Sequence, residues 1–367
     1  MKKKVLFIIW SYSYGGGAER ILTNIVNNLE PSKYEIDILE YVYAGIKKEE
    51  INDNINLLNP IIDITDRSFI NRVNNYIKEK VVYKFPKLLR QKYIKKDYDV
   101  EIAFNYLIPT FLLNYNAKTI GWCHGAVTDL KENDKLKKLQ KKYYDKINKI
   151  VAISNKTFDS VIDVYPEYKN KVELIYNGFD KNNILNKIND YKAENIDILY
   201  CGRFDENKNP AKFIEIIKNI KKVKNDIMAG MLGIGKLEEN IKKMIDEYEL
   251  GDNVILYGYK DNPYPIINST KIMCLTSYSE GFPTVLMEGM ILGKPFISTE
   301  VAGTKEMSNS NKCGFVSNDN EMLCKYAIKL LEDKKLYDVM SRDSKKHAEN
   351  FTLINQIKNI ESIIDKE

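Results

Sequence analysis

Continuous apolar runs, lacking the alternation of a half-exposed strand, recur along this chain and decide what it can fold into. Val5 to Trp10 and Lys271 to Thr276 are the clearest, and Val100 to Phe104, Ile196 to Tyr200 and Ile227 to Leu232 read as further strands, the first two of these three with one acid each. Such runs fit strands buried on both faces of a parallel sheet. Between them lie stretches with helical spacing. After the first run come Gly15-Gly16-Gly17, then a helix opening at Ala18 and Glu19 with apolar positions Ile21, Leu22, Ile25, Val26 and Leu29, ended by Pro31. Tyr34 to Tyr41 is the next strand, which completes a βαβ unit. The alternation pauses over Lys181 to Glu194, a polar stretch read as a linker, and restarts at Ile196. The expectation is two successive α/β domains of similar size with a ligand cleft between them.

At 367 residues, with 44% apolar and 29% charged side chains, the chain can build two cores and is neither disordered nor fibrous. The start MKKKVLFIIW has a basic head and an apolar run. That run is too short for a signal peptide and leads into Ser-Tyr-Ser-Tyr-Gly, so it reads as a first strand. No apolar run approaches the ~20 residues of a membrane span. Five cysteines, never spaced CxxC, fit reduced thiols in a cytoplasmic protein, and two histidines, His124 and His347, cannot make a histidine-rich metal site. The net charge of +5 is mild but uneven. Arg72, Lys78, Lys80, Lys84, Lys87, Arg90, Lys92, Lys95 and Lys96 face a lone acid, Glu79, with Val81, Val82, Tyr83, Phe85, Leu88 and Leu89 among them. Lys131 to Lys149, read as one helix, repeats the pattern more weakly. A basic, aromatic-bearing segment suits an anionic membrane surface; a solvated helix face is the plain alternative, and nucleic acid is not expected.

Several stretches have the composition of binding loops. Glu280-Gly-Phe-Pro-Thr-Val-Leu-Met-Glu288 joins an apolar strand to a buried helix, with Pro283 in the first turn. Carboxylates there are costly unless paired, although solvated acids at a helix N-terminus would read the same. Arg203 and Lys208 follow the end of a strand. His124-Gly125 ends another, where open α/β sheets place ligand residues. Gly15-Gly16-Gly17 lets backbone approach a ligand closely, but Arg20 stands where a dinucleotide fingerprint needs its last glycine. Glu40, at the end of the second strand, would suit a ribose in that reading. Gly233-Ile-Gly235-Lys236 is no P-loop, since Leu237 replaces Ser or Thr. Asp97-Tyr98-Asp99 could pair on a metal in another transferase architecture, and equally caps the entry to a strand.

Taken in order, Gly15-Gly-Gly-Ala-Glu-Arg20, Ser154-Asn155, Asn177-Gly178-Phe179-Asp180, Gly202-Arg203-Phe204-Asp-Glu-Asn-Lys208-Asn-Pro210, Gly233-Ile-Gly235, Gly258-Tyr259, the Glu280–Glu288 stretch and Val301-Ala-Gly303 span nearly the whole chain. This ordered set resembles the GT-B fold glycosyltransferases of family 4, especially those that extend lipid-linked intermediates in bacterial surface glycan assembly. The resemblance implies an α/β GT-B fold of two Rossmann-like domains facing a central cleft. Residues 1–180 would form the acceptor side, joined by a C-terminal helix (351–367) crossing back, and 181–350 the nucleotide-sugar side. It implies retaining transfer from a nucleotide-sugar, a UDP-sugar, by front-face attack, with no metal and no cofactor; no carboxylate stands out as the nucleophile of a double displacement. By the same resemblance Arg203 and Lys208 meet the diphosphate, with Gly202 in the same donor loop. Glu280 accepts from sugar hydroxyls near the amides of Gly281 and Phe282, and Glu288 holds the ribose. Thr284 and Val285 amides face the diphosphate, Gly16 and Gly17 close on it, Gly258 and Tyr259 sit by the base, and His124 stands near the transferred sugar and acceptor. The acceptor would be a glycan or polyprenyl-diphosphate-linked saccharide, met by a cytoplasmic protein held peripherally at the inner membrane face. Asn209 stands where many relatives carry glycine, with little effect expected. A nucleotide-sugar 2-epimerase of the same fold, an NAD(P) dehydrogenase and a non-enzymatic binding module are the competing readings.

Overall fold

The computed structural model describes residues 1–14, 16–46 and 50–366. Gly15, the first residue of the glycine turn, lies outside the described residues. The chain divides into two units, Met1–Gly178 with the stretch from Leu353 onward, and Phe179–Thr352.

The first unit holds β1 (Lys3–Ile9), β2 (Tyr34–Glu40), β3 (Val42–Tyr43), β4 (Ile55–Leu57), β5 (Ile62–Asp63), β6 (Val100–Ala103), β7 (Lys118–Cys123), β8 (Lys149–Ala152) and β9 (Val172–Leu174). Seven of them make one parallel sheet in the order β4-β2-β1-β6-β7-β8-β9, while β3 and β5 form a separate two-stranded parallel ribbon. Val5 to Ile9 are buried along their whole length because β1 is central and both faces are covered. Helix Gly17–Asn28 turns Ile21, Leu22, Ile25 and Val26 into the core. It also meets the last helix, Leu353–Asp365. That helix buries Leu353, Ile357, Ile360, Ile363 and Ile364, and Asp365 accepts from Lys3 Nζ and from the Tyr34 hydroxyl at 2.8 Å each.

The basic segment forms two helices, Phe69–Lys84 and Pro86–Tyr93, parted at Pro86 as its missing N–H requires. Arg90 leaves the surface. It reaches both carboxylate oxygens of Glu101 (2.8 and 2.6 Å) and the Leu112 carbonyl (2.7 Å), and Glu101 is 0% exposed. Arg90 is therefore an internal counter-ion and not part of a membrane-facing patch. Burial pushes the Glu101 carboxyl up, against the pull of the guanidinium. The helix read over Lys131 to Lys149 is shorter. Asn133 caps a helix Asp134–Tyr144, and Lys149 already belongs to β8.

The second unit contains β10 (Ile196–Cys201), β11 (Ala229–Leu232), β12 (Val254–Gly258), β13 (Thr270–Leu275), β14 (Phe296–Ser298) and β15 (Gly314–Val316), all parallel, in the order β12-β11-β10-β13-β14-β15. Helix Pro210–Lys221 covers one face with Phe213, Ile214, Ile216, Ile217 and Ile220. The stretch 181–194 is not a free linker. It opens with a helix, Lys181–Asn186, that buries Ile184. Asn262 Nδ2 then donates to Lys187 O and Asp190 Oδ2, and the Tyr191 hydroxyl donates to Asn262 O, all at 2.8 Å. Polar side chains hid this because the stretch is held by side-chain hydrogen bonds more than by apolar burial. All five cysteines are free thiols.

Candidate functional site

In a parallel sheet every carboxyl end lies along one edge, and that edge collects the binding loops. In the second unit the loop after β10 is built first. The Tyr200 hydroxyl donates to the Arg203 carbonyl at 2.8 Å. One carboxylate, Asp205, organises both cations. Its Oδ2 lies 3.0 Å from Arg203 Nε, and its Oδ1 accepts the Lys208 amide at 2.9 Å. Asn209 then adopts a left-handed conformation (φ 47°) and caps helix Pro210–Lys221 by accepting the Lys212 amide. The Gly233-Ile-Gly235 turn packs directly against this loop. A Cβ on Gly233 would stand 2.0 Å from Gly202 O, and one on Gly235 2.4 Å from Phe204 O. The glycines serve close backbone approach, with Phe204 N donating to Ile234 O at 2.9 Å.

The loop after β13 is fastened to the first. The Thr276 hydroxyl donates to the carbonyls of Lys208 (3.2 Å) and Asn209 (2.8 Å), and Tyr278 N donates to Asn207 O at 2.8 Å. These bonds bring Lys208 to Glu280. Nζ lies 2.6 Å from Oε1, with side chains 25% and 11% exposed. The Ser277 hydroxyl donates to the same oxygen at 2.6 Å. Glu280 is thus a paired carboxylate in a shielded loop, not a solvated one. Pro283 is the N-cap of helix Thr284–Ile291, one residue outside the helix rather than in its first turn, and supplies no side-chain cap. Gly303 (φ 85°) lies against Phe282 and Pro283. Glu288 sits inside that helix at 5% exposure, among Leu286, Met287 and Met290. Gly202, Gly281, Thr284 and Val285 are half-buried, whereas Arg203 is exposed. Gly258 (φ 66°) offers its carbonyl to Gly233 N at 2.9 Å, and Tyr259 is exposed.

In the first unit, His124 follows β7. Its ring packs 4.4 Å from Phe104 and 6.2 Å from Trp122, and its buried Nε2 has no hydrogen-bond partner. Burial pulls the imidazole down to about 4, against a hydrogen bond to the Phe104 backbone, so it is neutral near pH 7. Gly16 is the N-cap of helix Gly17–Asn28 and gives no side-chain cap, and a Cβ on Gly17 would meet open space. Glu40 does not await a ribose. It accepts the amides of Tyr12 (2.9 Å) and Ser13 (3.1 Å) and the Ser13 hydroxyl (2.8 Å), which fixes the loop after β1. Asp99 accepts the Lys4 amide at 2.8 Å, at the amino edge of the sheet.

Sequence reasoning singled out Arg203, Lys208, Glu280 and Glu288, and the second unit brings the first three into two joined loops. It missed Asp205, Thr276 and Ser277. Only Asp205, lying between the two basic residues, carried a local signal.

Two Rossmann-like domains with cations and paired acids at the carboxyl edge define a GT-B class of protein. Residues 180–347 match the family described as glycosyl transferases group 1, and residues 15–183 the family described as glycosyltransferase family 4. The chain belongs to the GT-B glycosyltransferases of family 4. It is 28% identical to an N-acetylgalactosamine-N,N'-diacetylbacillosaminyl-diphospho-undecaprenol 4-alpha-N-acetylgalactosaminyltransferase of Campylobacter jejuni, over 96% of each chain. A second transferase of that organism, which by its name extends a diphospho-undecaprenol-linked saccharide with N-acetylgalactosamine, is 23% identical over 95% of each. Among solved structures, Anabaena HepE in complex with UDP superposes with a TM-score of 0.75 over 99% of each chain at 15% identity. The epimerase and dehydrogenase readings gain no support from these relatives.

Proposed function

We propose that the protein is a retaining, metal-independent transferase that moves a sugar from a UDP-sugar to a polyprenyl-diphosphate-linked saccharide. The observation that carries this reading is the Arg203–Asp205–Lys208–Glu280 arrangement, joined by Thr276 and standing before an uncapped helix N-terminus. As the bond between the anomeric carbon and the diphosphate breaks, negative charge grows on the leaving oxygen. Arg203, Lys208 and the amides of Thr284 and Val285 meet that charge, and preorganised donors are usually a large catalytic contribution. A carboxylate accepts about four hydrogen bonds. Lys208 and Ser277 occupy part of Glu280, which leaves capacity for sugar hydroxyls beside the amides of Gly281 and Phe282. Glu288 takes the ribose hydroxyls, and Gly202, Gly258 and Tyr259 border the nucleotide. In the first unit, Gly16 and Gly17 present helix amides to phosphate, and neutral His124 hydrogen-bonds the transferred sugar or acceptor. The acceptor hydroxyl attacks from the face the diphosphate leaves, and its proton passes to a departing phosphate oxygen.

The lipid-linked acceptor is taken from the names of the two Campylobacter transferases, and the UDP donor from the HepE complex. With such an acceptor, the reading includes a peripheral protein working at the cytoplasmic face of the membrane. Among the described residues no helix is long and apolar enough to cross it.

The test is a panel of UDP- and GDP-sugars, an N-acetylgalactosamine donor included, scored by thermal shift and donor turnover. A UDP-sugar should stabilise the protein and be turned over in EDTA, with the product anomer, read by NMR, matching the donor. Lys208→Ala should lose about 10²–10³ in turnover. Wild-type turnover from that variant would remove Lys208 from the mechanism, and an inverted product would remove front-face attack.

A further inference from the structure

Helix Phe69–Lys84 turns only a narrow stripe toward the body of the first unit. Asn71 and Asn75 donate to Asp63 O at 2.7 Å each, Lys78 donates to Ile61 O at 2.6 Å, and Val82 is fully buried. These positions recur every three to four residues and define one face. The opposite arc holds Phe69, Ile70, Val73, Tyr76 and Ile77, all exposed; Phe69 and Ile70 keep 72% and 73% of their surface in solvent. Phe85 and Leu88 continue the exposed apolar surface past the end of the helix. Scattered apolar residues on a surface are ordinary, but a contiguous set on the outward side of one helix needs an occupant.

Charge selects that occupant. At 100° per residue Lys80 and Lys84 fall within the apolar arc, and Lys80 Nζ lies 5.2 Å from the Tyr76 ring. The single acid of this helix, Glu79, falls off the arc. Lysines among aromatic and aliphatic side chains bury their stems and raise their charge to an anionic headgroup layer. A second copy on a two-fold axis would set this lysine-bearing arc against itself. Position points the same way. The β3–β5 ribbon leaves the carboxyl end of β2, where Val42 N donates to Trp10 O at 2.8 Å, and the helix follows β5. The arc therefore springs from the sheet edge that carries His124 and the loop after β1.

We infer that helix Phe69–Lys84 inserts this arc into an anionic bilayer, so that apolar insertion, and not surface charge alone, holds the enzyme at its lipid-linked acceptor. The inference rests on the lipid-linked acceptor proposed above, but its test needs neither donor nor acceptor. The full chain is co-sedimented with phosphatidylcholine vesicles, with and without phosphatidylglycerol, at low and high salt. Wild type should bind the anionic vesicles and keep part of that binding at high salt. The F69S/I70S/V73S/I77S variant should partition roughly tenfold or more weakly at both salts. The K80Q/K84Q variant should bind at low salt only about as well as wild type does at high salt, and should match wild type at high salt. Both should match wild type in circular dichroism and in donor turnover without vesicles. Unchanged partitioning of the serine variant would overturn the inference. So would wild-type binding abolished by salt, or a wild-type dimer in sedimentation velocity that the serine variant dissociates. Failure of the transferase reading would appear separately, as absent donor turnover in every form of the protein.

Discussion

Lys208 and Glu280 stand 72 residues apart in the chain and 2.6 Å apart in space. No local pattern announces such a pair. What was legible was that a carboxylate before a buried helix needs a partner; what was not was which cation supplies it, since that depends on two loops being fastened by Thr276. Asn209 shows the opposite case. Its left-handed conformation explains why glycine suits this position, and its side chain adds a cap that glycine lacks. His124 gives a prediction about pH. Burial holds its imidazole at about 4, against an ordinary value of 6.5. Between those values the unfolded chain carries a proton that the folded protein does not. This contribution to stability is therefore fully present above about pH 6.5 and declines as pH falls toward 4. Chemical denaturation of His124→Gln over that range should show a flatter pH dependence than wild type. An equal slope would mean that the ring titrates as if exposed.

At the scale of elements, the strands were the most readable parts, because a doubly buried strand is mostly apolar and an acid within it, such as Glu101 in β6, needs a partner. The short ribbon β3–β5 and the helix Lys181–Asn186 were not readable. Two-residue strands carry no periodicity, and that helix buries Ile184 alone among polar neighbours. The basic segment was legible as charge but not as geometry. A lysine-rich stretch reads as one surface, whereas the structure divides it between an exposed arc of apolar and lysine side chains and the internal Arg90. This division predicts different costs. Arg90→Ala leaves Glu101 buried and unpaired and should destabilise the protein by about 3–5 kcal/mol in urea denaturation. Arg90→Lys keeps the charge but not the two-pronged contact, and should fall between the alanine variant and wild type. A loss under 1 kcal/mol for Arg90→Ala would show that Glu101 relaxes by taking up a proton.

At the scale of the whole molecule, the first unit is assembled from both ends of the chain, while the second is one uninterrupted stretch. A chain stopped after Thr352 loses the burial of Leu353, Ile357, Ile360, Ile363 and Ile364 and the anchor of Asp365 on Lys3 and Tyr34. At about 1.5–3 kcal/mol per buried aliphatic side chain, taken as an upper estimate, that loss rivals the whole stability of a domain. Calorimetry should show the transition of the first unit lowered or missing and that of the second preserved; two unshifted transitions would contradict this. The same connectivity sets an order of events during synthesis. Residues 179–352 can close on themselves as they emerge, while residues 1–178 wait for the helix that begins at Leu353. The nascent first unit stays open at Lys3 and Tyr34 until Asp365 has emerged, so these residues reach their final contacts only after the whole second unit has been made, and chaperones and proteases have that interval of access to them.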